Sequence, residues 1–246
     1  MKIAILGASG RVGKYLTTQI LASADDVLVG AYVSSSSNSL EEQVDGIDLK
    51  FKTIDDSLTN PVDLIIDFSA PIATVSILDK LDKRTKALVI ATTGFTPEEE
   101  QKIKDASHHS PIMIGANFAN GFEAFVAVCR KLASTYPQHV PQLEETYHER
   151  KKAVPSGTSL RLAREVADAR KQTGNTAEVE IPIKVNRVGD ATGKHVCSID
   201  VGQYETSIGF TVDGLGSYAM GALAAGHWLA GRPNGLYVPA DMLEAD

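Results

Sequence analysis

Short apolar runs separated by stretches of helical periodicity fill the first half of this chain. Lys2–Leu6 reads as a strand that enters Gly7-Ala8-Ser9-Gly10-Arg11-Val12-Gly13, and a helical pattern continues to about Ala22. Val27–Val33 predicts a second strand with a polar loop, Ser34–Ser39, behind it. Leu64–Phe68 predicts a third, followed by a helix after Pro71, and Ala87–Ala91 a fourth, with a helix starting near Pro97. Ile112–Ile114 is a short fifth strand, after which Asn117-Phe118 leads into a helix through about Ser134. Strands alternating with helices predict right-handed βαβ units on a parallel sheet.

The second half has a different rhythm. A helical pattern follows Ser156, and Ala177–Val185, Lys194–Val201 and Glu205–Val212 read as antiparallel strands, the last two joined by a tight turn at Gly202-Gln203. A small-residue helix, Tyr218–Ala230, and a short tail close the chain. The expected fold class is α/β. A Rossmann-like dinucleotide-binding domain would be formed by residues 1–118 plus about 216–246. Residues 119–215 would form a smaller α+β domain with a mixed, largely antiparallel sheet. The Glu144-Glu145 pair reads as a solvated strand end.

Composition narrows the function classes. Hydrophobic residues make up 43% and charged residues 22%, ordinary values for a soluble globular protein. No apolar run approaches the roughly 18–20 residues that span a bilayer, so no membrane association is expected. The net charge of −7 argues against nucleic acid as the main partner. Cys129 and Cys197 have neither metal spacing nor a disulfide framework, which points to reduced thiols in a cytoplasmic protein. His108-His109 lacks matching ligands, and no metal site is expected.

Three groups of residues carry candidate chemistry. Gly7, Gly10 and Gly13 between a strand and a helix permit a tight turn and close approach of a pyrophosphate to the backbone. Arg11 stands at the helix start. The second strand ends in Ser34 and further serines with no carboxylate before Glu41, a lean toward NADPH over NADH. Ala91-Thr92-Thr93 and Gly115-Ala116-Asn117-Phe118 end successive strands, the sheet edge where ligands bind. In Tyr147–Ser159, a cationic segment runs into Pro155-Ser156-Gly157-Thr158 and a helix. The capped helix start, with Lys151 upstream, suits the carboxylate of a small acidic metabolite.

With these motifs in order, the chain resembles the dihydrodipicolinate reductases (4-hydroxy-tetrahydrodipicolinate reductases) of lysine and diaminopimelate biosynthesis over nearly its whole length. Gly7–Gly13 resembles the family's nucleotide loop, Asp67-Phe68-Ser69-Ala70-Pro71 and Thr92-Thr93-Gly94-Phe95 its next signatures, and Asn117-Phe118 its nicotinamide-side Asn-Phe. Lys151 and Pro155–Thr158 match the substrate segment in register. The resemblance implies a homotetramer, and a mechanism in which a nicotinamide donates hydride to a cyclic unsaturated imine dicarboxylate while a protein acid protonates the resulting enamine. It places the substrate carboxylates on Ser156, Gly157 and Thr158 near Lys151, with His148 in contact.

The departures are specific. Tyr147 stands where the family carries its proton-transferring histidine, Ala153-Val154 replaces an acidic-Ala pair, and Ala91 replaces a glycine. Phe210-Thr211 and Leu215 fall where basic residues are usual. The acid is therefore expected to be Tyr147, its pKa lowered by Lys151, or Lys151 itself. Two other functions fit the same residues: reduction of another small cyclic imine or carbonyl acid, and a nucleotide-binding regulatory role without catalysis.

Overall fold

The computed structural model describes residues 1–54, 61–78, 81, 86–152, 154–173 and 180–243. These divide into two compact units, Met1–Asn120 with Leu215–Asp246, and Gly121–Gly214.

The first unit is built on β1 (Lys2–Leu6), β2 (Val27–Tyr32), β3 (Leu64–Asp67), β4 (Leu88–Ile90) and β5 (Pro111–Ile114), with β10 (Gly235–Tyr237) returning from the chain's end. All pair in parallel in the order β10-β5-β4-β3-β1-β2. Both faces are covered, which is why the strands read as continuous apolar runs. Ile3 and Ile5 pack with Leu16 and Ile20 of α1 (Arg11–Ala22) and with Ala219, Ala222, Ala225 and Leu229 of α6 (Gly216–Leu229). Ala4 and Leu6 face the opposite cluster, with Ile77 of α2 (Pro71–Leu78) and Ile103 of α3 (Pro97–Ser107). The small residues of α6 let it approach closely: a Cβ on Gly221 would lie 1.5 Å from the Phe118 carbonyl oxygen.

The second unit packs α4 (Phe122–Thr135) and α5 (Gly157–Lys171) on a sheet of β6 (Gln142–Tyr147), β7 (Ile183–Arg187), β8 (Lys194–Asp200) and β9 (Glu205–Thr211), in the order β7-β6-β8-β9. Two expectations change. The segment expected as the first antiparallel strand is strand only from Ile183 to Arg187, and it pairs in parallel with β6. Residues 177–179 of that expected strand, and Ala153, lie outside the described residues.

Glu144-Glu145 is the middle of β6 instead of a solvated strand end, and Glu145 is fully buried. Its face carries Leu143, Glu145 and Tyr147, and all three point inward. The inward carboxylate disguises the alternation that marks a strand.

Candidate active site

In the first unit, the β1–α1 turn, the serines after β2 and the segment after β3 enclose a cleft of about 540 Å³. Its lining includes Gly7, Ser9, Gly10, Ser34, Ser35 and Phe68. Gly7 has φ +83, and a Cβ on Gly13 would meet the Gly7 carbonyl oxygen at 2.3 Å, so the turn is too tight for side chains at these points. Gly10, the N-cap of α1, supplies no side-chain cap, so the first N–H groups of the helix are left for a ligand. This geometry fits a dinucleotide phosphate. Among the described residues, the lining holds neither carboxylate nor cation around the serines.

The other residues expected at the cofactor are not among the described residues that line this cleft. Arg11 is exposed on α1, Ala8 is buried in the core, and Val12 is packed against that core. Thr92 accepts the Ser69 N–H at 3.0 Å and donates to Asp67, joining the ends of β3 and β4. Asp67 is buried and takes further bonds from Ser69 and Thr74; burial pushes its carboxyl up despite these donors. Asn117 is buried and accepts the Ala119 N–H at 2.9 Å, and Phe118 belongs to the core. Thr93 is exposed, Ala91, Gly115 is half-buried, and Ala116 is exposed.

The second unit brings a polar network to the start of α5. Ser156 caps the helix through its Oγ, which accepts the Ser159 N–H at 3.2 Å. The Ser156 N–H and hydroxyl both go to Glu145, at 3.0 and 2.5 Å. Ser159 Oγ and Arg187 donate to the same carboxylate. The helix start thus holds an internal carboxylate at Ser156, which is buried and not open to a ligand. Gly157 is exposed and Thr158 half-buried, and their N–H groups are the ones with no carbonyl partner inside the helix.

Tyr147, at the end of β6, is buried with its hydroxyl 3.0 Å from His195 Nε2, and Ser159 Oγ lies 3.2 Å from His195 Nδ1. His195, on β8, lies 48 residues from Tyr147 in the chain, and its contact with that hydroxyl has no local sequence signal. The expected lowering of the Tyr147 pKa is reversed. Burial raises it, with Glu145 adding to the effect, and together they outweigh Thr158, Ser156 and Arg187. Lys151 Nζ stands over the Tyr147 ring, 4.7 Å from its centroid. His148 keeps a buried Nδ1 with no hydrogen-bond partner among the described residues.

Residues 1–118 match the family model described as dihydrodipicolinate reductase, N-terminus, and residues 121–243 match the one described as its C-terminus. The chain belongs to the dihydrodipicolinate reductase family. Relatives named 4-hydroxy-tetrahydrodipicolinate reductase include those of Sulfurimonas denitrificans, 31% identical with 99% of each chain covered, and Helicobacter hepaticus, 32% identical with the same coverage. A dipicolinate-bound dihydrodipicolinate reductase from Paenisporosarcina sp. TG-14 has the same fold, with a TM-score of 0.81 at 18% identity over 97% of each chain. No helix among the described residues is long and apolar enough to cross a membrane.

Proposed function

We propose that this chain is a 4-hydroxy-tetrahydrodipicolinate reductase, an NAD(P)H-dependent oxidoreductase that reduces a cyclic imine dicarboxylate in lysine and diaminopimelate biosynthesis. Full-length similarity to the named reductases supports it. The structural observation that carries it is the start of α5, where Gly157 is exposed and Thr158 half-buried, six and seven residues after Lys151. Backbone N–H groups at a helix start and a nearby ammonium together suit a carboxylate.

The chain's own residues divide the work. The Gly7–Gly13 turn holds the pyrophosphate, Ser34 the adenosine ribose, and Ala91–Thr93 with Gly115–Phe118 the nicotinamide side. Serines, and no carboxylate among the described residues, line the cleft, which supports NADPH over NADH. A bound nicotinamide supplies the hydride. Gly157 and Thr158 take a substrate carboxylate, the unpartnered His148 Nδ1 accepts or donates one polar contact, and Lys151 or Tyr147 provides the proton. The sheet face opposite α4 and α5, which presents Glu144, Thr146, Val196 and Ser198, packs against further copies in a homotetramer.

Purified chain mixed with NADPH and freshly generated dihydrodipicolinate should oxidise the cofactor, followed by loss of its absorbance. Binding of NADPH without turnover on this substrate refutes the reading. Turnover on another cyclic imine would then identify a diverged reductase, and none at all a regulatory protein. Light scattering of the same sample reads the oligomer.

A further inference from the structure

Arg187 ends β7 as Tyr147 ends β6, and the two are partners in the last register of the parallel ladder. Register partners stand on one face of a sheet, so Arg187 lies on the inward face with Glu145 and Tyr147. Its guanidinium spreads over three acceptors. Nη2 donates to the buried Glu145 carboxylate at 2.9 Å, Nε to the Lys151 carbonyl oxygen at 3.4 Å, and Nη1 to the Asn186 carbonyl oxygen at 2.9 Å.

The backbone beyond β7 also follows the segment after β6. The Val188 N–H donates to the Tyr147 carbonyl at 2.9 Å, and the Glu149 N–H to the Gly189 carbonyl at 3.1 Å. Arg150 and Asp190 pair at 2.7 Å, but both side chains are exposed, and an ion pair in water contributes little. The Arg187 pair is different in kind, because its side chains are 18% and 0% exposed. Glu145 also accepts the Ser156 N–H at 3.0 Å. One buried carboxylate therefore carries both sides of the site: the start of α5 through Ser156, and the Lys151 segment through Arg187.

We propose that Arg187 is a positioning residue whose fork ties the Lys151 segment to Glu145 and so sets the Lys151 ammonium opposite the helix start at Gly157 and Thr158. That the ligand between them is a cyclic dicarboxylate rests on the reductase reading; the seating of Lys151 does not. The ammonium and the guanidinium lie 4.7 and 5.9 Å from the centroid of the same Tyr147 ring, so the side chain of Lys151 is set against this end of β6 as well as its carbonyl. A planar guanidinium can serve the carboxylate and the carbonyl together, whereas a lysine ammonium in its place is a point donor that keeps only the carboxylate.

Arg187→Lys is therefore the discriminating variant. It retains a cation for Glu145, and its urea midpoint should stay near that of the parent. Hydrogen exchange of the Glu149 and Lys151 amides, which donate to Gly189 and His148, should nevertheless quicken by about tenfold, with α5 amides unchanged. Binding of dipicolinate, a planar ring dicarboxylate, to the NADPH-loaded protein should weaken by about tenfold in calorimetry, and NADPH affinity should stay the same. Combined with Lys151→Ala, the substitution should add no further loss, because it acts through Lys151. Arg187→Gln, which also lacks the fork, should show the same quickened exchange and weakened binding. Parental exchange at Glu149 and Lys151 in both variants overturns the assignment, as does a fully additive loss in the double variant. If the unaltered chain neither binds dipicolinate nor turns over, the reductase reading fails, and the exchange rates still decide whether Arg187 seats Lys151.

Discussion

The Glu145 carboxylate, in the middle of β6, accepts the backbone N–H of Ser156 at 3.0 Å and so ties the sheet to the first residue of the α5 cap. Arg187 on β7 completes the pairing at 2.9 Å, with the carboxylate wholly out of water. The start of α5, the feature that suits a substrate carboxylate, is therefore held in place by a carboxylate of the protein itself.

Removing that tether should cost stability. Glu145→Ala leaves the Arg187 guanidinium, the Ser156 N–H and two serine hydroxyls without their acceptor, at a cost of about 3–5 kcal/mol. Glu145→Gln keeps an acceptor oxygen and should lose less. Urea unfolding midpoints of the two variants measure this, and an Ala variant as stable as the parent refutes the account.

Acid should act through His195 before it reaches most carboxylates. The folded-state pKa is held at about 4, against 6.5 for the free side chain. As pH falls through 6.5 the unfolded chain takes up a proton that the folded chain refuses. The stability contribution is present above the unfolded value and lost as pH drops toward the folded one, in total about 3 kcal/mol. Stability measured across this range should fall steadily, and His195→Gln should flatten the slope. An equal slope in both proteins would mean that another group is responsible.

Cofactor choice should respond to a charge placed behind β2. Ser34 lines the first unit's cleft, and a carboxylate there can hold ribose hydroxyls while repelling a 2′-phosphate. Ser34→Asp should weaken NADPH binding by about tenfold or more and leave NADH binding nearly unchanged, a difference of about 1.4 kcal/mol. Parallel titrations of cofactor fluorescence read it, and equal weakening of both cofactors counts against this placement of the ribose.

Gly221→Ala probes the fit of α6 to the loop after β5. The added methyl would fall 1.5 Å from the Phe118 carbonyl oxygen, so helix or loop has to shift. Overpacking of this kind costs about 1–3 kcal/mol. The melting temperature should drop by several degrees; no drop would show that the close approach is not maintained in solution.

The parallel sheet of the first unit was legible because its strands are buried on both faces and therefore read as unbroken apolar runs. Its glycine turn was legible because Gly7 and Gly13 answer a local steric demand of the backbone. In the second unit β6 was obscured, since its inward positions include a carboxylate, and the partner direction of β7 has no local signature. The segment from Tyr147 to Thr158 declared a cationic loop and a capped helix, but not which of its polar groups were already occupied.

By itself the sequence determined the alternation of β1 to β5 with their helices, the nucleotide turn, the family and the helix start at Ser156, because each follows from neighbours along the chain. Tertiary structure alone decided that Glu145 is buried against Ser156, that His195 meets the Tyr147 hydroxyl, and that Lys151 stands over the Tyr147 ring. A strand residue's environment is set by the elements packed on its face, and here those come from α5 and β8, far away in sequence. The desolvation of Glu145, Tyr147 and His195 arises only from that packing.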